Sequence, residues 1–121
     1  MKNMPGLLFC LLLTVLPGLS SAAADKFYCS GNKPNWSLTL GSDKILFKKM
    51  DWAPVVVPGV KPQPAEKTTI ENARVYRSKT VEHHVIAIIK KGACTDGNNR
   101  YRYGALTMID KDIYHGCCIK R

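Results

Sequence analysis

The sequence lacks the short motifs on which most hydrolases, redox enzymes and zinc sites depend. It has no C-x-x-C, no H-E-x-x-H, no G-x-S-x-G and no glycine-rich phosphate loop. Acidic residues are also few, with nine Asp and Glu against 18 Lys and Arg among 121 residues. Because acid–base and nucleophilic catalysis need such groups in defined arrangements, the sequence predicts no enzyme and no cofactor.

The sequence also lacks an apolar run long enough to cross a membrane, which takes about 20 residues. Its main apolar stretch, residues 7–16, follows Lys2 and ends before the small residues up to Ala24. A short basic start, an apolar stretch and a small-residue exit are typical of a secretory signal. We expect a signal peptide over residues 1–24, cut after position 22, 23 or 24, and a single β domain over residues 25–121. The expected location is periplasmic or secreted, with no transmembrane anchor after cleavage and no lipid anchor.

Four cysteines remain after this cleavage: Cys29, Cys94, Cys117 and Cys118. An even number in a small exported chain predicts disulfides, which would compensate for a modest core. Three pairings are possible, and a bridge between the adjacent Cys117 and Cys118 would strain the peptide between them. The other two pairings each join Cys29 and Cys94 to the two C-terminal sulfurs. Neighbouring strand residues point to opposite faces, so we expect one bridge inside the fold and one nearer the surface.

Hydrophobic periodicity predicts strands rather than helices throughout the domain. Residues 35–49 form a hairpin pattern, residues 85–89 read as a central strand covered on both faces, and residues 100–109 alternate strictly. Gly92-Ala93 is interpreted as a turn after a solvated Lys90-Lys91 end. The predicted fold is all-β, a small antiparallel barrel or sandwich of about seven strands, over residues 26–30, 35–40, 44–49, 73–78, 81–90, 100–109 and 113–119.

Residues 53–67 differ in character, because four prolines fall between positions 54 and 64. Proline cannot donate to a sheet ladder, so this segment is interpreted as a stiff extended connection with a short strand over residues 55–57. A recognition loop is the alternative, because proline-rich segments hold an extended shape at little entropic cost.

The excess of positive charge is the most informative feature for function. Removal of Lys2 lowers the formal net charge of +9 by one, to +8. Cations gather at strand ends, and Arg100 and Arg102 interleave with Tyr101 and Tyr103, a pattern typical of grooves that stack rings and neutralise anions. An ordinary solvated basic surface is the alternative interpretation.

Export argues against an intracellular nucleic-acid target. The expected partner is therefore an anionic envelope component or a protein, and the anionic candidates are lipid A phosphates, acidic glycans, anionic headgroups or extracellular DNA. Small periplasmic barrels also inhibit lysozymes, so inhibition of a host or bacterial hydrolase is the alternative function. Like charge opposes it, because many lysozymes are basic.

Metal binding has one candidate, the pair His115 and Cys117, which lie two residues apart on one strand face. Such a pair could hold zinc or copper if the sulfur were a thiolate. His83 and His84 are adjacent and face opposite ways in a strand, so they cannot share one ion. Because paired sulfurs are favoured in an oxidising compartment, we expect no metal site.

Residues 31–38, GNKPNWSL, resemble a G-N-E-P-x-W-x-L motif, and residues 94–97 with residues 116–118 resemble a C-x-D-G…G-C ending. Both motifs occur in an uncharacterised family of small bacterial periplasmic proteins and lipoproteins. The resemblance implies a Gram-negative exported protein, a small antiparallel barrel and a Cys94–Cys117 bridge, which leaves Cys29 for Cys118. It implies no chemistry.

This chain departs from the family pattern at position 33, where Lys33 stands in place of Glu. A pocket that used the acidic residue would be reversed in sign here. Only the fold and the bridge are therefore carried over from the family. The candidate ligand-binding residues in this chain are Lys33, Trp36, Arg100, Tyr101, Arg102 and Tyr103.

Overall fold

The computed structural model describes residues 26–121, which form one antiparallel sheet of nine strands and contain no helix. The expected signal peptide, residues 1–24, lies outside the described residues. The all-β prediction is confirmed, and the two extra strands, β4 and β5, are short segments of the proline-rich connection. The strands are β1 Phe27–Gly31, β2 Trp36–Leu40, β3 Lys44–Lys49, β4 Val55–Pro58, β5 Gln63–Pro64, β6 Ala73–Lys79, β7 His84–Asp96, β8 Asn99–Ile109 and β9 Asp112–Lys120.

The strand order is β4-β3-β2-β1-β9-β8-β7-β6-β5. Two meanders, β1 to β4 and β5 to β9, are therefore joined side by side through their first and last strands. The backbones of Lys26 and Arg121 exchange two hydrogen bonds, of 3.1 and 2.7 Å, at the end of this junction. As a result the C-terminal strand lies in the middle of the sheet, next to the N-terminal one.

The sheet curls so that β4 approaches β6, but no backbone ladder joins these two strands. The Ser78 hydroxyl donates a 2.6 Å hydrogen bond to the carbonyl of Pro58 across the gap. Pro58 in β4 and Pro64 in β5 have no N–H to donate, which disfavours a backbone ladder across this gap. The fold is therefore an open curled sheet rather than the closed barrel or two-sheet sandwich predicted from the sequence.

Aromatic rings fill the concave side of the curled sheet. Trp36 is 4% exposed and stacks on Phe47 at 6.1 Å between ring centroids, and Phe47 in turn contacts Tyr114 at 5.2 Å. Phe27 packs edge-on against Tyr103 at 5.0 Å. These rings and the aliphatic residues around them add core packing to the β1–β9 backbone pairing that joins the two meanders.

Strand β7 is longer than the sequence pattern indicates. The predicted turn at Gly92-Ala93 is wrong, since β7 continues to Asp96 and pairs with β8 over its whole length. Between Lys91 and Cys94 the pairing shifts by one residue, and Gly92 has a φ of 152°, which other residues rarely adopt. The bend that was interpreted as a turn is an irregularity within one long hairpin.

The expected cover over both faces of residues 85–89 is present on one face only. Val85, Ala87 and Ile89 are buried in the concave core, whereas Ile88 is 36% exposed on the convex face and lies opposite the exposed Leu106. No residue in 26–121 covers this part of the convex face. A β-branched run alone did not distinguish one covered face from two.

The two disulfides lie on opposite sides of β9. Cys29 and Cys118 are directly opposite each other in the β1–β9 ladder, and their bond is buried in the core. Cys117 faces away from the core and bonds Cys94 across β8, over Gly104. One bridge is therefore inside and one on the convex side, in the pairing that the family resemblance implies.

Candidate functional site

The tip of the β7–β8 hairpin, residues 92–102, is named the arm. It is fastened at two points to the middle of the sheet. The Cys94–Cys117 bond ties it to β9, and the Asn32 side-chain amide donates a 3.0 Å hydrogen bond to the Asp96 carboxylate. The Cys94 sulfur lies close over Gly104, where a Cβ would stand 3.7 Å from it, in ordinary van der Waals contact. The arm is thus a positioned element rather than a free loop.

The arm forms one side of a recess of about 560 Å³, named the basic recess. The end of β9 forms the other side, and the segment before β6 closes it. Four cationic residues and one acidic residue line it, so the lining has an excess of three positive charges. Its residues are Glu71, Lys91, Arg100, Tyr101, Arg102, Tyr103, Cys118, Ile119 and Lys120.

Glu71 is the carboxylate of the basic recess, and two cations hold it. Its Oε2 accepts a 3.3 Å bond from Lys120 Nζ, and its Oε1 lies 3.7 Å from Arg74 Nη2. The Glu71 side chain is 50% exposed, so an anion that enters the recess can compete for Lys120. Arg100 and Arg102 are exposed and carry planar guanidinium groups, which suit carboxylate, phosphate or sulfate oxygens in pairs.

The two tyrosines of the candidate set have different environments. Tyr103 is buried and packs against Phe27, so its ring belongs to the core and only its edge reaches the recess. Tyr101 is half-buried and borders both the basic recess and a neighbouring hollow beside Tyr28 and Ile119. Of the two rings, Tyr101 is the one placed to contact a ligand.

Lys33 and Trp36 do not lie with the arginines. Trp36 is buried in the aromatic core, which is the ordinary role of such a residue. Lys33 is exposed in the β1–β2 turn, with a φ of 61° before a cis Pro34. It lines a separate recess of about 690 Å³ with Lys49 and Trp52, in which Lys49 Nζ stands 4.2 Å from the Trp52 ring centre. The six candidate residues therefore divide into the basic recess group, this turn and the core.

Sequence reasoning left three charged lining residues out of the candidate set, Glu71, Lys91 and Lys120, and also the uncharged Cys118 and Ile119. The two lysines were visible as cations at strand ends. Glu71 carried no signal, because the contact that defines its role joins residues 49 positions apart. Only the curl of the sheet brings the segment before β6 next to the end of β9.

Cys117 and His83, two of the residues considered as metal ligands, have other bonding partners in the structure. Cys117 is disulfide-bonded and cannot act as a thiolate beside His115. His83 Nδ1 lies 2.9 Å from Asp110 Oδ2, and this hydrogen bond, with a second one from the His84 backbone, holds the pKa of Asp110 below its ordinary value. Within residues 26–121, no three His, Cys, Asp or Glu side chains group together as a metal site would require.

The same described range, residues 26–121, has no helix of the length and apolarity that would cross a membrane. Its two disulfides are consistent with an exported protein, because such bonds persist in oxidising compartments. A comparison of the chain with family models, curated proteins and solved structures finds no match.

Proposed function

We propose that residues 25–121 form an exported, non-enzymatic binding protein that takes an anionic partner in the basic recess. The observation that carries the proposal is the convergence of Lys91, Arg100, Arg102 and Lys120 on one concavity, against the single carboxylate of Glu71. Concave sites that collect charge of one sign raise the local concentration of the opposite ion and speed its capture. The periplasm or the extracellular space is the proposed location, and an anionic envelope component is the proposed partner.

The arm supports this function because it presents its cations without a large entropic cost on binding. Arg100 and Arg102 lie next to a segment that a disulfide and the Asn32–Asp96 hydrogen bond both restrain. A side chain mounted on restrained backbone loses less freedom when it meets a ligand than one on a loose loop. Tyr101 adds a ring that can lie against a sugar or an acyl chain beside the anionic group.

The proposal also assigns a role to Glu71. Its carboxylate occupies Lys120 in the absence of a ligand and must be displaced or accommodated when an anion enters. Removing that negative charge leaves one more cation for the ligand and one fewer repulsive group. Glu71→Gln is therefore expected to strengthen anion binding by about two- to fivefold, a modest gain because the pair is partly exposed.

Immobilised heparin and lipopolysaccharide provide the test, with the bound fraction measured as salt is raised. Wild-type protein should be retained at low salt and lost steeply with ionic strength, since charge drives the contact. Arg102→Ala should weaken retention roughly tenfold, because a paired guanidinium contact contributes about 1.5 kcal/mol. Lys111→Ala is the matched control: it removes one exposed cation at the other end of β8, roughly 25 Å away.

Three results would contradict the proposal. Absence of retention of the wild-type protein at low salt would contradict an anionic partner. Equal losses from Arg102→Ala and Lys111→Ala would show that net charge acts and the recess does not. Weaker binding by Glu71→Gln would show that Glu71 supports the site rather than competing in it.

A further inference from the structure

The open edge of the sheet leaves a second concavity, named the seam recess. The β2–β3 turn and the segment after β4 line one side of it, and β6 with the segment leading into it lines the other. It has a volume of about 440 Å³. Its walls are mainly apolar, and two cations reach it. The residues that line it and matter here are Val60, Lys61, Pro62, Ile70, Arg74 and Tyr76.

One wall of the seam recess is closed by tightly packed backbone. The Gly59 N–H donates a 3.1 Å hydrogen bond to the carbonyl of Asp43, and a Cβ on Gly59 would overlap the carbonyl of Ser42. Glycine is therefore required for this close approach. This wall is set by main-chain geometry and does not depend on a mobile side chain.

Arg74 is 4% exposed and held in a defined position at the recess. Its Nε donates a 3.0 Å hydrogen bond to the carbonyl of Ile70, and its guanidinium carbon stands 4.8 Å from the centre of the Phe27 ring. Its ion pair with Glu71, at 3.7 Å, is longer than a hydrogen bond, and Glu71 is half exposed. An acidic ligand can therefore take up the guanidinium in exchange for Glu71.

Size and lining together indicate the chemistry of the occupant. Small-molecule sites of about 300–1,000 Å³ are lined mostly by apolar groups, with a few placed polar groups that orient the ligand. Here Val60, Pro62, Ile70 and Tyr76 supply the apolar part, and Arg74, with Lys61 at the rim, supplies the polar part. Both polar side chains are cations, so they select a negative group.

We propose that the seam recess binds a small amphiphile with an apolar body and one carboxylate, with the carboxylate on Arg74 and Lys61 and the body along Val60, Ile70 and Tyr76. This site goes beyond the proposed function, because it is lined by different residues and selects apolar bulk as well as charge. The basic recess, in contrast, faces solvent with four cations.

Titration calorimetry with octanoate tests the proposal on the full mature chain at neutral pH. Wild-type protein should bind one octanoate per chain, while 1-octanol of the same length should bind at least tenfold more weakly. Octylamine, with the opposite charge, should not bind. Equal binding of octanoate and octanol would overturn the role of the two cations, and absence of octanoate binding at millimolar concentration would overturn the site.

Substitutions then locate the binding. Ile70 is 37% exposed, so Ile70→Asp places a carboxylate in the recess without removing a buried core residue, and octanoate affinity should fall at least tenfold. The matched control is Ile113→Asp on the convex face, where the side chain is 65% exposed, and its affinity should stay within twofold of wild type. Lys61→Gln, at an exposed rim position, should weaken octanoate about threefold.

A last variant distinguishes octanoate binding in the seam recess from binding in the basic recess. Arg102→Ala, in the basic recess, should leave octanoate affinity within twofold of wild type while it lowers heparin retention. If Arg102→Ala weakens octanoate more than Ile70→Asp does, the carboxylate binds in the basic recess and the seam proposal is wrong. If heparin retention is absent but octanoate still binds and responds to Ile70→Asp, the seam site stands without the proposed function.

Discussion

Removal of each disulfide in turn is expected to separate a stabilising bridge from a positioning one. The variants are Cys29→Ala with Cys118→Ala, and Cys94→Ala with Cys117→Ala. The first bond joins residues 89 positions apart and the second joins residues 23 positions apart. Loop-closure entropy then gives about 4.6 kcal/mol for the long bridge and about 3.4 kcal/mol for the short one.

Packing acts in the same direction as chain entropy. Cys29 and Cys118 are both buried in the core, so their truncation to Ala leaves an apolar cavity, whereas Cys94 is only half-buried. The double variant at positions 29 and 118 should therefore be less stable than its counterpart by at least about 1.2 kcal/mol. The loss of about 4.6 kcal/mol from the long bridge is a large part of the 5–15 kcal/mol typical of a domain.

Heparin retention should rank the two variants in the order opposite to stability, with the 94/117 variant the weaker binder. The Cys94–Cys117 bond holds the arm, which carries Arg100 and Arg102, so its loss should weaken heparin retention in protein that is still folded. The Cys29–Cys118 bond does not restrain the arm, and Cys118 contributes no charge to the recess it lines, so loss of this bond should weaken retention of the folded fraction less than loss of the Cys94–Cys117 bond.

Urea unfolding without reductant measures the stabilities, and retention on heparin at one salt concentration measures the binding. Unfolding of the 29/118 variant at higher urea than the 94/117 variant would refute the loop-entropy and burial argument. Full heparin retention by the 94/117 variant would refute the view that this bond positions the binding residues.

Three further outcomes are expected. Gly116→Ala should cost about 1–3 kcal/mol in urea unfolding, because a Cβ there would overlap the Ser30 carbonyl, whereas Gly104→Ala meets only van der Waals contacts and should cost less; equal costs would contradict this. The hydrogen bond from His83 holds the pKa of Asp110 below its ordinary value of 3.8. The stability that this bond contributes is therefore present above that pH and is lost as pH falls through the lower pKa of the folded state. Asp110→Asn should therefore flatten the stability change between about pH 5 and about pH 3, and an unchanged pH profile would argue against it. Lysozyme turnover should be unaffected by added protein, since like charges oppose docking, and inhibition would favour a hydrolase inhibitor instead.

Local sequence patterns were enough to predict most of the strands of this fold. Alternation placed Trp36, Leu38 and Leu40 on the buried face of β2, and the structure confirms that side for all three. The same period in β8 separated the buried Tyr103 from the exposed Arg102. A two-residue period is a local property of each strand, so it can be read without knowing the strand's neighbours.

The arm shows where a local pattern failed. Glycine at position 92 was interpreted as the end of a strand, yet pairing with β8 carries the strand past it to Asp96. Glycine allows a turn and a bulge equally well, and the partner strand decides between them. The short strand predicted over residues 55–57 is confirmed as β4, whereas β5 was missed, because a two-residue edge strand depends on the neighbour that it pairs with.

The sequence by itself determined the strand content, the basic charge and an even set of four cysteines in residues 25–121, because each depends only on composition or on spacing along the chain. The tertiary structure alone decided that the sheet stays open, and that Lys91, Arg100, Arg102 and Lys120 meet Glu71 in one recess. Those contacts join residues far apart in the chain, and their geometry follows from the curl and register of nine strands rather than from any one segment.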